Sequence, residues 1–226
     1  MFLIACPCWA SLVSFLPVFN ASLVGVLLVT LFLWEISLLP ILLVLSVVSL
    51  LFFWFDLQNV SLHYESAFWL FILSEVMAFG SLLTCCFWFD TCSFVSLSSP
   101  LEIPFLGCFL LLGSSITVTG FHHVLFWRYS YTLLGLTIFL GACFVCLQLY
   151  EMNEVFINLV DTSFHASSFC TVGLHFSHVL IGIVGLITIL VIGSSKAGWY
   201  RCTIVTWYWH FVDYVWLFVY TFVYVC

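Results

Sequence analysis

Long apolar runs, separated by short polar or Pro- and Gly-containing breaks, dominate the pattern of this chain. A helix needs about 20 mostly apolar residues to cross the hydrocarbon core of a bilayer. Seven runs come close to or exceed this length, and they predict seven transmembrane helices near residues 9–34, 38–55, 67–89, 104–127, 131–151, 165–193 and 203–225. The pattern therefore predicts an all-α integral membrane protein, with residues 1–226 forming a single membrane domain.

The composition agrees with a lipid environment and excludes several classes of protein. Hydrophobic residues make up 65% of the 226 residues and charged residues only 6%, against about 25% charged residues in a typical soluble domain. The basic residues are Arg128, Lys196 and Arg201, which are too few for the phosphate contacts of a nucleic-acid-binding protein. Residues 1–8 lack the basic patterns of targeting peptides, so we expect direct insertion from the compartment of synthesis.

The basic residues also predict an orientation. Arg128 falls between the fourth and fifth predicted helices, while Lys196 and Arg201 fall between the sixth and seventh. With seven spans, both loops lie on the same side of the membrane as the N-terminus. Because Lys and Arg are retained on the side of synthesis, we expect this side to face the compartment where the chain is made. Most acidic loop residues fall on the opposite side: Glu35, Asp90, Glu102, Glu151, Glu154 and Asp161.

Glu75 is the acidic residue predicted to lie deepest in the third span. It sits eight residues inside that span, or about 12 Å at 1.5 Å per residue. A carboxyl group at this depth needs a partner or a role, and burial without a nearby base favours its neutral form. We expect a hydroxyl, a histidine or a backbone carbonyl of a neighbouring helix as its partner. A structural hydrogen bond and a proton-related or regulatory role both stay open.

A polar layer is predicted from the other intramembrane groups. His210 and Asp213 are spaced i, i+3 in the seventh span, so they share a helix face. We expect them to pair with each other and to dock the helix. His122 and His123 fall near the end of the fourth span, in the same half of the bilayer as Glu75. These five residues are therefore expected to form one polar layer.

Candidate metal and cofactor ligands are few. His175 and His178 are spaced i, i+3 in the sixth span, but a b-type haem needs histidines that face each other from different helices. We therefore expect both to make hydrogen bonds between helices. Cys143 and Cys146 form one Cys-x-x-Cys pair, with no second pair to complete a four-ligand set. We expect no metal and no catalytic residue in this chain.

Four stretches carry a resemblance to a known family. Residues 71–76 read FILSEV, and residues 100–104 read PLEIP, followed in the same span by SITVT and two histidines. The third stretch extends over residues 140–182 and includes GLH, and the fourth, residues 207–218, reads WYWHFVDYVWLF. In order and spacing these stretches resemble subunit III of cytochrome c oxidase, over roughly residues 68–225.

The resemblance implies seven helices in two groups, helices 1–2 and 3–7, separated by a lipid-filled cleft. It implies a non-catalytic core subunit of cytochrome c oxidase, complex IV of the respiratory chain, that supports assembly, lipid binding and proton uptake for aerobic electron transport. Haem and copper would lie in partner subunits I and II, and phospholipids and accessory subunits would be the other partners. Glu75 matches the family's intramembrane glutamate. The location implied is the mitochondrial inner membrane, with the N-terminus in the matrix.

The segment between helices 2 and 3 departs from the family pattern. It keeps Trp54 but lacks the arginines that help to hold phospholipid headgroups in the family. Trp54 and His63 are the candidate lipid-binding residues there, and we expect lipid to be held less by arginine than in relatives.

Other functions stay open on the sequence. Subunit III of a quinol oxidase shares the family, and a bacterial plasma membrane is the alternative location. A membrane transporter would show broken helices and a midplane site, but no repeat symmetry is visible in the sequence. A b-type haem protein would retain a haem absorption band in the isolated chain.

Overall fold

The computed structural model describes residues 16–33, 36–59, 65–89, 97–125, 127, 129–155 and 161–225, without the side chains of residues 53–59 and of a few others in the first two helices. These residues form seven α-helices and no strand. The helices are α1 Leu16–Phe32, α2 Leu39–Asn59, α3 Glu65–Phe89, α4 Ile103–His123, α5 Ser130–Glu154, α6 Ser163–Ile192 and α7 Ser194–Val219. A 3₁₀ turn, Ile36–Leu38, precedes α2, and a π-helical segment, Tyr220–Val225, continues α7.

The chain divides into two compact units, residues 1–62 and residues 63–226. The first unit contains α1 and α2, and the second contains α3 to α7. The predicted all-α fold and its grouping into helices 1–2 and 3–7 are confirmed. The lipid-filled cleft stays a prediction.

The first unit is a pair of packed helices with few buried side chains. Among its described residues, Leu23 and Leu42 are the buried apolar side chains, and Thr30 and Ser49 are the buried hydroxyls. Both hydroxyls donate to carbonyls of their own helix, at 2.8 and 2.9 Å. The described polar side chains of this unit therefore make no bond from one helix to the other.

The second unit is built around α7, which packs against α3, α4 and α6. Its Trp209 and Trp216 are the largest fully buried side chains. The Trp209 ring lies between two glycines, because a Cβ on Gly141 of α5 would lie 2.8 Å from it and a Cβ on Gly182 of α6 would lie 2.9 Å from it. Both positions need glycine, since any side chain would push against a large, rigid ring.

Four of the described helices, α3, α4, α5 and α6, are long and apolar enough by themselves to cross a membrane. The apolar stretches in the first unit are shorter, at Val18–Leu27 and Leu39–Phe52. α7 has 26 residues, but its Trp, Tyr, His and Asp residues lower its mean hydropathy. Tyr208, Trp209, Asp213 and Trp216 are buried against the other helices of the unit, so this part of α7 has less need of an apolar surface.

Two glycines shape the connection from α6 to α7. Gly193 ends α6 with φ at 87°, and Gly198 interrupts the first turns of α7 with φ at 80°. Residues other than glycine rarely adopt a backbone conformation with positive φ. Lys196 and Arg201, which are both exposed, flank Gly198. The two described basic residues therefore lie together at this end of the unit.

Candidate functional site

Glu75 lies on α3 beside α6. Its Oε2 is 3.1 Å from Nε2 of His178, and the glutamate side chain is 22% exposed against 10% for the histidine. The contact has the distance of an ion pair but not the direction of a hydrogen bond, because Nε2 has no partner with hydrogen-bond geometry. The structure thus places a histidine beside Glu75, which is one of the three expected kinds of partner.

His178 continues this contact to α7. Its Nδ1 lies 3.0 Å from the hydroxyl of Tyr208, which also lies 3.3 Å from the His178 carbonyl oxygen. The Phe79 ring packs against the His178 ring in a tilted arrangement, with centroids 5.3 Å apart. A carboxyl, an imidazole and a phenol from three helices therefore follow one another. Such a row of groups can hold and pass a proton.

His210 docks α7 onto α4. Its Nδ1 lies 2.8 Å from Ser115 Oγ, and its Nε2 lies 3.3 Å from Thr119 Oγ1. The Thr119 hydroxyl donates its hydrogen to the Ser115 carbonyl at 2.8 Å. In the neutral ring, Nε2–H therefore donates to Thr119, and Nδ1 accepts the Ser115 hydrogen. The predicted docking by His210 is seen, but its partners are hydroxyls of α4.

The predicted pairing of His210 with Asp213 is wrong. Both ring nitrogens of His210 are occupied by α4, and Asp213 is 1% exposed. Neither of its carboxyl oxygens has a hydrogen-bond partner within the described part of the chain. The i, i+3 spacing places the two residues on one face of α7. The imidazole of His210 nevertheless contacts the Ser115 and Thr119 hydroxyls of α4 and not Asp213.

The two histidines at the end of α4 differ in their surroundings. His122 Nε2 lies 3.0 Å from Thr203 Oγ1, and Thr203 donates its hydrogen to the Trp199 carbonyl at 2.9 Å. His122 therefore donates to α7, whereas His123 is exposed. This hydrogen bond connects α4 with α7 at His122, and no hydrogen bond among the described residues joins this histidine to Glu75. The members of the predicted polar layer are thus held by separate contacts.

Some predicted residues lie outside what the structure describes. These are Arg128, His63 and the side chain of Trp54. The lipid-binding role of Trp54 and His63 stays a prediction.

Glu151 forms a buried polar cluster that the sequence reasoning missed. We expected it in a loop, but it lies in the last turn of α5 and is 2% exposed. Its Oε1 accepts a hydrogen bond from Ser98 at 2.6 Å, and its Oε2 accepts one from Gln148 at 2.9 Å. The i, i+3 spacing of Gln148 and Glu151 was the available signal. The cluster ties the segment before α4 to the end of α5.

The histidine pair of α6 makes hydrogen bonds between helices, as predicted. His175 Nε2 lies 3.1 Å from the Val212 carbonyl oxygen of α7, and His178 reaches Tyr208. Among the residues that the structure describes, no group of three or more His, Cys, Asp or Glu side chains is placed to hold a metal ion.

An apolar groove of about 490 Å³ lies between α3 and α7. Aromatic and aliphatic side chains line it, among them Trp69, Ile72, Phe79, Trp207, Phe211 and Phe218. The rings of Trp69 and Trp207 are 5.1 Å apart, centroid to centroid. His210 and Tyr214 are the polar-tipped residues of its lining. The groove has the chemistry of a site for a hydrocarbon chain.

Comparison with known proteins assigns the family. The chain matches the family model described as cytochrome c oxidase subunit III over residues 2–226. The chain belongs to this family. The resemblance found in the four sequence stretches is thereby confirmed, and the fold is that of a subunit III, a multi-pass membrane protein.

Individual subunit III relatives span insects and bacteria. The chain is 36% identical to cytochrome c oxidase subunit 3 of Drosophila melanogaster and 34% identical to that of Locusta migratoria, in each case over 173 residues, 69% of this chain and 66% of the relative. It is 36% identical to a probable cytochrome c oxidase subunit 3 of Rickettsia bellii over 140 residues, 58% of this chain and 50% of the relative. The matches thus span between one half and about two thirds of these relatives.

Proposed function

We propose that this chain is a non-catalytic core subunit of cytochrome c oxidase, complex IV of aerobic electron transport. The family match over residues 2–226 carries the proposal. In this assignment haem and copper belong to the partner subunits I and II. The chain itself supports assembly, binds phospholipid and helps to sustain proton uptake by its partners.

Purification of the tagged chain in mild detergent tests this assignment. We expect a large subunit bearing haem and copper to co-purify, together with a subunit II that has its own copper site. We expect the separated chain to contain less than stoichiometric metal. Stoichiometric iron, copper or zinc in the separated chain would overturn the proposal. A subunit II without copper would instead favour a quinol oxidase.

Glu75 is the residue to which we assign a proton-related or regulatory role. It lies at the more exposed end of the row formed with His178 and Tyr208, where a partner subunit or lipid can reach it. No group within this row has the arrangement of a nucleophile and its base. We therefore propose that Glu75 tunes events in the neighbouring catalytic subunit and performs no chemistry on oxygen.

The proposed location is the mitochondrial inner membrane, with the N-terminus in the matrix. Lys196 is the single lysine of the sequence, and it is exposed at the start of α7 together with Arg201. An impermeant amine reagent therefore reports mainly on one side chain. We expect modification of Lys196 in inverted inner-membrane vesicles and protection in sealed mitoplasts, with permeabilised membranes as the control. Modification in sealed mitoplasts would refute the orientation.

Phospholipid is the proposed non-protein ligand. The family architecture supports a lipid-filled cleft between helices 1–2 and 3–7, with Trp54 and His63 near the headgroups. The apolar groove on α3 and α7 is suited to an acyl chain. Lipid extraction from the purified assembly, before and after detergent washing, should recover phospholipid that resists washing. Full activity and stability without any retained lipid would contradict this proposal.

A further inference from the structure

Three buried side chains in the core of the second unit leave polar atoms without a partner among the described residues. These atoms are both carboxyl oxygens of Asp213, the indole nitrogen of Trp216 and Nδ1 of His175. Each side chain is 1% exposed. Buried polar groups are almost always hydrogen-bonded, either to protein or to ordered water. A set of unpartnered atoms in one region of the core therefore indicates a shared ligand.

The three side chains belong to one region because of their positions on two helices. Asp213 and Trp216 are spaced i, i+3 on α7 and share a face. The thiol of Cys108 on α4 lies beside the Trp216 indole nitrogen and within electrostatic reach of Asp213. The His175 ring of α6 packs on the Trp216 ring, with centroids 5.0 Å apart. Helices α4, α6 and α7 therefore meet at these side chains.

The Ser115 hydroxyl cannot donate its hydrogen to a charged Asp213 while the His210 ring is neutral. Ser115 lies close to this carboxyl group, but with the neutral His210 ring its single hydrogen goes to Nδ1 of that ring. The described cations, Lys196 and Arg201, lie at the exposed start of α7. A neutral Asp213 could donate to Ser115, but its second oxygen would still need a donor. In either protonation state the carboxyl group needs a further partner.

The unpartnered atoms complement one another around a water molecule. His175 Nε2 donates to the Val212 carbonyl, so the neutral ring presents Nδ1 as an acceptor. Asp213 offers acceptor oxygens, and the Trp216 indole nitrogen offers a donor. A water molecule can donate both hydrogens and accept at least one hydrogen bond, which satisfies two to four partners. We infer that Asp213, Trp216, His175 and Cys108 enclose a buried site for ordered water that bridges α4, α6 and α7.

Trp209 provides the contrast within the same helix. Its indole nitrogen donates to Ser114 Oγ at 2.9 Å, and Ser114 donates onward to the Leu111 carbonyl at 2.7 Å. Trp209 is as deeply buried as Trp216, but its polar atom is satisfied by protein. The inferred water site is thus specific to Trp216 and does not follow from burial of an indole ring alone.

A high-resolution electron-microscopy map of the purified assembly that contains this chain tests the inference. We expect density within hydrogen-bond distance of Asp213 and of Trp216 or His175. The density should be lost in Asp213→Leu and kept in the control Trp88→Leu, which changes an exposed side chain of α3 outside the apolar groove. Asp213→Asn, which keeps polar atoms, should retain it.

The map of the unmodified protein decides the question even if Asp213→Leu fails to assemble. Direct bonds from both Asp213 oxygens to protein groups would overturn the inference. So would the absence of density at the site in a map that resolves other buried waters of this subunit. The result does not depend on which partner subunits are present, so it is distinguishable from a failure of the proposed function.

Discussion

The two units of the molecule hold their helices together by different means. In the α1–α2 unit the described hydroxyls donate to their own helix, as Ser22 and Ser46 do at 2.8 and 2.7 Å. In the α3–α7 unit, hydroxyls, imidazoles and an indole bond from helix to helix, and Trp209 packs against two glycines. Most described side chains of α1 and α2 are exposed, whereas about half of the α7 side chains are buried.

This difference reflects the solvent in which the helices associate. Lipid tails are as apolar as leucine side chains, so apolar surface alone gives little net attraction between helices in a membrane. Close packing at small residues and hydrogen bonds between helices provide the attraction instead. The α3–α7 unit uses both, while the α1–α2 unit shows neither strongly. We therefore expect substitutions to affect the two units very differently.

The largest effect is expected from Trp209→Ala in the α3–α7 unit. The substitution removes the ring between Gly141 and Gly182 and leaves a cavity, and losses of about 3–5 kcal/mol are typical for a buried Trp or Phe. Thermal release of the subunit from the purified assembly measures the effect. Trp88→Ala, the same substitution at an exposed position of α3 outside the apolar groove, is the control. Equal stability of the two variants would show that Trp209 does not hold the unit together.

A smaller loss is expected from Gly182→Ala. Its new Cβ would lie 2.9 Å from the Trp209 ring, and overpacking of this kind costs about 1–3 kcal/mol. Gly173→Ala on the same helix is the matched control, because a Cβ there meets nothing within 4 Å. The control should be neutral or slightly stabilising, since alanine favours helix more than glycine. If both variants lose the same stability, glycine–tryptophan packing is not the cause.

Glu75→Gln should change function more than stability. Glutamine keeps the shape beside His178 but cannot titrate. Because the Glu75–His178 contact is not a hydrogen bond, we expect a stability change of at most about 1 kcal/mol. Assembly and oxygen reduction should persist, with altered proton coupling or faster inactivation during turnover. Glu75→Ala, which removes the polar group, should cost about 1–3 kcal/mol more. Proton-to-electron ratios and turnover-dependent inactivation are the measurements.

One outcome would give Glu75 a different role. A Gln variant that assembles correctly but reduces no oxygen would show that Glu75 takes part in the catalytic reaction. A Gln variant that fails to assemble, while His178→Gln assembles, would assign it to subunit docking instead.

The smallest effect is expected from Ser46→Ala in the α1–α2 unit. This hydroxyl donates to the Leu43 carbonyl of its own helix, so its loss breaks no bond between helices. Changes within about 0.5 kcal/mol are usual for such positions. The same thermal assay applies, with Ser114→Ala as the comparison, because Ser114 accepts the Trp209 indole hydrogen between helices. A larger loss for Ser46→Ala than for Ser114→Ala would reverse the comparison of the two units.

The helices and the family could be predicted from the sequence because their signals are long and local. Apolar runs of about 20 residues define spans without any knowledge of packing. The fourth stretch, residues 207–218, carried much of the resemblance to the family. The interhelical role of His175 and His178 followed from the absence of a facing histidine pair. The choice of a histidine as the partner of Glu75 was within the predicted set.

The specific partners in the polar contacts could not be predicted, because they depend on which faces of the helices meet. His210 and Asp213 share a face, but only the position of α4 shows that Ser115 and Thr119 take the imidazole. Glu151 looked like a loop residue because α5 continues three residues beyond the predicted end of the span, and only the fold brings Ser98 onto it. A helix boundary predicted from hydropathy is placed too early when the last turn of the helix contains buried polar residues.

The low mean hydropathy of α7 has a consequence for how the chain enters the membrane. A helix that carries His210, Asp213 and several Trp and Tyr residues partitions poorly into lipid by itself, since a charged residue near the centre of a span adds about 2.5–3.5 kcal/mol to insertion. α7 follows α3 to α6 along the chain, and α3, α4 and α6 provide the surfaces that bury it. Its insertion should therefore be cooperative with the helices made before it, because these helices bury the polar groups that lipid would have to accommodate.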